Sequence, residues 1–259
     1  MNEPELLFER DGPLATVTFN RPEARNAMTW TMYDGLVEAC ETMDATAELR
    51  VLILRGAGGK AFVAGTDISQ FQMFSTQKDA LEYEHRLDRV IGRLESVTKP
   101  TIAAIEGYAA GAGAVIALAC DLRYCTPESQ IGVPIARTLG NCLSVENYAR
   151  LVDLLGPART KELLFRARLT TAVEASQAGL VNEVVPAERL YAHVREVAQE
   201  IAAHAPITLR VTKEAIRRLQ VQRRAVEGDD LTVQAYMSED FREGVAAFLG
   251  KRKPVFRGR

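Results

Sequence analysis

Two segments have residue types and spacing that could do chemistry: Ala61-Phe-Val-Ala-Gly-Thr-Asp-Ile68 and, about forty residues later, Gly107-Tyr-Ala-Ala-Gly-Ala-Gly-Ala-Val-Ile116. In each, small residues follow an apolar run, so the backbone can approach a ligand closely and offer N–H groups to developing negative charge. That is the chemistry of an oxyanion hole. The second segment also opens a helix, whose N-terminus carries free N–H groups and partial positive charge. The paired carboxylates that would complete acid–base chemistry are missing beside both segments.

Two phosphate-binding readings fail on the residues. Gly56-Ala-Gly-Gly-Lys60 has Leu54 where a P-loop needs its first glycine and Ala61 where it needs Ser or Thr. Gly111-Ala-Gly113 begins a dinucleotide fingerprint whose third glycine would fall at Ile116.

The elements that must position these segments read as α/β. Leu6 and Phe8, then Ala15, Val17 and Phe19, alternate about the Asp11-Gly12 turn and predict a hairpin over 5–20. Thr29 is the expected N-cap of a helix through about Met43, with Met32, Leu36, Val37, Cys40 and Met43 on one stripe. Val51-Leu-Ile-Leu54 reads as a strand covered on both faces. There follow a helix over roughly 79–97, the strand 101–105, a helix from Gly113 to Cys120 and the strand 122–125, alternating as βα units. From about 144 the pattern is mostly helical, with one short strand at 181–185. Helices are expected near 187–204, 206–226, 229–237 and 238–249, broken at Ala205-Pro206 and Gly228. On the 79–97 helix Tyr83, Leu87, Ile91 and Leu94 form the buried stripe. His85 and Asp88 flank it as a possible pair, beside a face of Glu82, Glu84, Arg86 and Arg89 that reads as solvated.

The chain has 259 residues, enough for one large α/β domain with a helical appendage or for two modest domains. Its four cysteines form no C-x-x-C pair and it has three histidines, so no metal site is expected. Residues 1–10 resemble no targeting segment, and the stretch from Tyr108 to Cys120 is too short to span a bilayer. Membrane association is therefore not expected, and a reducing cytoplasm is the expected location. A net charge of −2 gives no field that would gather nucleic acid. The basic tail of Lys251, Arg252, Lys253, Arg257 and Arg259 is either a solvated end or a contact for a phosphate-bearing ligand.

Both hole segments, together with Asn20-Arg-Pro-Glu-Ala-Arg-Asn-Ala27 and Ala178-Gly-Leu-Val-Asn-Glu-Val184, resemble the enoyl-CoA hydratase/isomerase (crotonase) family over about residues 5–257. The resemblance implies a spiral of ββα units over 1–200 and a C-terminal helical trimerisation region over 201–259, assembled as a homotrimer or dimer of trimers. It implies a cofactor-free acyl-CoA enzyme with a coenzyme A thioester as substrate, whose oxygen is held by the backbone N–H groups of Thr66 and Ala112. Arg25 and Ala27 would line the nucleotide and pantetheine, and Ala64, Asp67 and Ile68 the same wall. For Arg25 a solvated loop, and for Asp67 local backbone capping, are the alternatives.

The family's two glutamate positions fall here on Val115 and Ile135, which can neither activate water nor protonate carbon. Enoyl-CoA hydratase is the family name the chain fits, but the chemistry points to an isomerase, lyase or thioester hydrolase branch. A silent acyl-CoA-binding subunit is the competing reading. Replacement groups are sought in Pro134-Ile-Ala-Arg-Thr-Leu-Gly-Asn-Cys-Leu-Ser144 and on the preceding helix. By the resemblance, Cys142 stands near a nucleophile position of the aryl-CoA dehalogenase branch and Asp88 near its helix-borne histidine. An inert packed thiol and a solvated carboxylate are the respective alternatives. Arg137 and Asn141 could hold a carboxylate or water of the substrate, or cap turns.

Overall fold

The computed structural model describes residues 3–73, 75–224 and 226–259, with the backbone alone at Met73 and Arg223. The expected hairpin is β1 (Leu6–Asp11) against β2 (Leu14–Phe19), antiparallel from Leu6 opposite Phe19 to Asp11 opposite Leu14. Helix α1 (Trp30–Ala45) opens where its N-cap predicts, the Thr29 hydroxyl accepting from the Met32 N–H at 3.2 Å. There follow β3 (Val51–Gly56), β4 (Ala61–Val63), α2 (Gln77–Glu95), β5 (Thr101–Ile105), β6 (Tyr108–Ala110), α3 (Ala112–Ala119), β7 (Leu122–Cys125) and β8 (Gln130–Gly132). The later elements are α4 (Ile135–Thr138), α5 (Val145–Phe165), β9 (Thr170–Thr171), α6 (Ala172–Gln177), β10 (Glu183–Val184), α7 (Leu190–Ala202), α8 (Pro206–Arg224), α9 (Asp229–Tyr236) and α10 (Glu239–Leu249). The helix expected over 206–226 reaches residue 225, which lies outside the described residues.

Successive strands go to two sheets in turn, which is what makes the chain spiral. Strands β3, β5 and β7 lie in a six-stranded sheet of order β1-β2-β3-β5-β7-β10, and β4, β6 and β8 in a four-stranded sheet of order β4-β6-β8-β9. Both are parallel apart from β1 with β2 and β8 with β9. Helix α3 packs wholly inside, all eight residues buried, as its Ala- and Gly-rich sequence allows. The strand expected at 181–185 is shorter because the Leu180 and Val181 N–H groups turn back to the Ala175 carbonyl and close α6.

One loop carries strain that positions the site. Arg25 and Asn26 both have positive φ, 52° and 57°. Buried Asn26 accepts the Arg21 N–H at 2.9 Å and donates to the carbonyls of Ala57 and Ala61 at 3.0 and 2.7 Å, tying the loop to the start of β4. Asn26→Ala removes all three bonds, and alanine tolerates that φ less well. Urea unfolding is expected to show a loss of about 2–4 kcal/mol; a loss near zero would mean that the loop is held by other contacts.

Candidate active site

The two hole segments meet because β4 and β6 pair in parallel and each ends in a turn through glycine. Gly65 has φ 117° and Gly111 φ 54°, and a Cβ built on Gly111 would lie 3.7 Å from the Gly65 Cα. Thr66 and Ala112 come immediately after these glycines. The ladder bonds step around Thr66: the Met28 N–H donates to Gly65 O at 2.8 Å and the Asp67 N–H to Met28 O at 2.9 Å. Ala112 is the first residue of α3, where an N–H has no acceptor within the helix. Among the described residues neither amide has an acceptor. Alanine is tolerated at 112 because the positive φ falls on Gly111. At Gly113 a Cβ would stand 2.0 Å from Val63 O, so glycine is what lets α3 approach β4. The Thr66 hydroxyl is gripped by the hydroxyls of Tyr33 and Tyr83, at 2.8 and 2.9 Å, which fixes a residue whose N–H has no acceptor among the described residues.

Beside this pair lies a cavity of about 430 Å3. Its wall includes Arg25, Ala27, Ala64, Thr66, Asp67 and Ile68 on one side, and Asn141 and Cys142 on another. Val115 and Ile135 also face it, so the surface where the family resemblance would place glutamates is apolar. Exposed Arg25 places its guanidinium 5.6 Å from the Tyr108 ring centre. Asp67 is ion-paired with Arg21 at 3.2 Å; burial works against its charge, but Ser69 and Arg21 outweigh that and hold the carboxyl below its usual range. Burial pushes the Cys142 thiol up to about 12, so at neutral pH it is a thiol and a poor nucleophile.

Asp88 and Arg137 are not on the cavity wall. Asp88 accepts from Ser144 Oγ at 2.7 Å and from Asn147 Nδ2 at 3.0 Å, with burial raising its pKa. Arg137 is exposed on α4. His85 pairs with Asp229 at 2.9 Å rather than with Asp88. In the basic tail, Arg252 and Arg259 are ion-paired with Glu243 and Glu239. Among the described residues no cluster of three or more His, Cys, Asp or Glu is arranged to hold a metal.

The residue that sequence reasoning placed wrongly is Glu84. The expected solvated face of α2 does not include it: Glu84 is 3 % exposed and lines the cavity. Its Oε1 accepts from the Tyr236 hydroxyl, and its Oε2 has no partner among the described residues. Burial pushes its pKa up to about 8, the Tyr236 bond opposing and Asp88 adding to the rise. A signal was present, since Ala80, Glu84, Leu87 and Ile91 recur at helical spacing and all four are buried.

The enoyl-CoA hydratase/isomerase family model matches residues 9–259. The short-chain-enoyl-CoA hydratase of Clostridium acetobutylicum is 33 % identical, covering 96 % of this chain and 95 % of that protein. The 2,3-dehydroadipyl-CoA hydratase of Escherichia coli is 32 % identical, covering 98 % and 99 %. Among solved structures, a methylmalonyl-CoA decarboxylase in complex with 2-nitronate-propionyl-CoA superposes with a TM-score of 0.90 at 29 % identity, covering 98 % and 99 %. An enoyl-CoA hydratase/carnithine racemase from Magnetospirillum magneticum gives 0.81 at 35 %, covering 100 % and 97 %.

Proposed function

The chain belongs to the enoyl-CoA hydratase/isomerase family of acyl-CoA enzymes, and from that premise we propose a proton-shifting isomerase that works with one carboxylate, Glu84. The Thr66 and Ala112 N–H groups hold the thioester oxygen. Ionised Glu84 removes a proton from C2 of a 3-enoyl thioester, and the C–H electrons pass into a dienolate whose negative oxygen lies in the hole. The same carboxyl, now protonated, delivers the proton to C4 as the double bond settles between C2 and C3. No water is added, so the apolar patch of Val115 and Ile135 is no obstacle.

The observation that carries this reading is the contrast between the two carboxylates on the wall. Asp67 is neutralised by Arg21 and held ionised, whereas Glu84 has no cation paired with it among the described residues, and burial pushes its pKa up to about 8. A group whose pKa lies near the operating pH is the better proton carrier.

The pH dependence separates this reading from a second one. With 3-butenoyl-CoA as probe, kcat/KM is expected to rise with pH and level off above about 8, because the base form does the work. The high TM-score to a decarboxylase favours an alternative in which CO2 loss from a malonyl-type thioester forms the enolate without a base and neutral Glu84 protonates it. There, activity on methylmalonyl-CoA would fall through the same pH. Crotonyl-CoA hydration far outpacing both would overturn the proposal, and binding without turnover of any of the three would favour a silent subunit.

The oligomer proposed is a trimer, or a pair of trimers, in the cytoplasm. Helix α8 leaves Ile207, Val211 and Leu219 exposed, the apolar face such an assembly would cover. Among the described residues no helix is long and apolar enough to cross a membrane.

A further inference from the structure

Glu84 is held by residues distant in sequence, and the directions of their hydrogen bonds carry information. Asn141 Nδ2 donates to the Tyr236 oxygen at 3.1 Å, and the Tyr236 hydroxyl donates in turn to Glu84 Oε1. With its oxygen accepting from Asn141, the tyrosine's own hydrogen is left for Glu84, so Oε1 is an acceptor and not the site of the acidic proton. The proton of neutral Glu84 therefore resides on Oε2, the buried oxygen without a partner among the described residues. A carboxyl oxygen in that condition lacks a hydrogen bond that a buried polar group ordinarily has, and the adjoining acyl cavity is where a partner can come from.

We propose that Tyr236 and Asn141 are positioning residues: they occupy Oε1, fix the carboxyl plane and reserve Oε2 for the acyl group. This rests on the reading of Glu84 as proton carrier and adds what makes it one. It also makes the site depend on α9 and on the 139–143 loop, which must dock on α2 before the carboxyl is aligned.

The groups that act on Glu84 come from every side. From α2 these are Tyr83 and Asp88, from α1 Tyr33, from α9 Tyr236, from the loop Cys142, and from α5 Tyr148. None is a cation. The Tyr236 hydroxyl does most to favour the ionised form against burial, and the Ser144 N–H adds to it by proximity without making a hydrogen bond of ordinary geometry to either oxygen.

The test is the pH profile of 3-butenoyl-CoA isomerisation for the full chain and its variants. Tyr236→Phe keeps the ring and removes the donor, so the midpoint of kcat/KM is expected to move up by about one pH unit. The value of kcat should fall about tenfold, with KM nearly unchanged. Asn141→Leu, which leaves Tyr236 in place but unsupported, is expected to move the midpoint the same way by less. If Tyr236→Phe fails to fold, the Asn141→Leu shift decides. A Tyr236→Phe enzyme with an unmoved midpoint overturns the inference even if kcat falls, since lost packing alone would do that. Full activity in Glu84→Gln would instead remove the reading on which it rests.

Discussion

Glu84→Gln is expected to lower kcat for 3-butenoyl-CoA isomerisation by about 10^3-fold, within the span typical of a positioned general acid or base. KM and the thermal midpoint should change little. Glutamine matches the shape of the neutral carboxyl that predominates at pH 7, and its amide oxygen can still accept from Tyr236 at the Oε1 position. What it cannot do is give up and regain a proton. Asp67→Asn is the informative contrast, because that carboxylate is bound to Arg21 and Ser69; its replacement should weaken the loop, with a modest loss of rate. Equal losses in the two variants would mean that the cavity responds to charge in general rather than to Glu84.

Gly111→Ala is expected to cost about 10^2- to 10^3-fold in kcat, the loss usual for one oxyanion donor. The position has φ 54° and ψ −120°, a conformation that L-residues rarely adopt. The added methyl has room, its nearest contact being the Gly65 Cα at 3.7 Å, so the variant tests backbone geometry and not a clash. Relaxation of that strain would turn the Ala112 N–H away from its neighbour at Thr66. Ala112→Gly, which leaves the backbone free to keep its shape, should stay within a few-fold of wild type. CoA-ester affinity, measured by calorimetry, should be nearly retained in both. A Gly111→Ala enzyme with wild-type kcat would remove Ala112 from the hole.

Local rules made much of the scaffold legible. Thr29 begins a helix because its hydroxyl can accept from Met32, and residues 51–54 form a covered strand because no polar residue interrupts them. The meeting of the two glycine-bearing segments was legible for the same reason: small residues after strands are needed wherever backbones must approach, and Gly113 against Val63 shows how closely they do. Glu84 was not. Its neighbours Glu82, Arg86 and Arg89 suggest a solvated face, and its burial depends on Tyr236, 152 residues away in the chain. Asp88 was nominated by its nearness to a family helix position and Arg137 as a polar residue of the 134–144 segment, yet Asp88 is bound to Ser144 and Asn147, and Arg137 is exposed on a one-turn helix. Periodicity says which face of α2 is buried. It does not say that a carboxylate on that face will find a hydroxyl and a cavity.

The central claim, that one buried carboxyl carries the proton between two carbons of the same substrate, is tested most directly with 3-butenoyl-CoA deuterated at C2. Glu84 is 3 % exposed and faces the cavity that the acyl group would fill, so the deuterium it removes should be returned before exchange, and the crotonyl-CoA product should carry deuterium at C4. Product formed by the wild type with only protium at C4, or deuterium transfer that persists in Glu84→Gln, would contradict it.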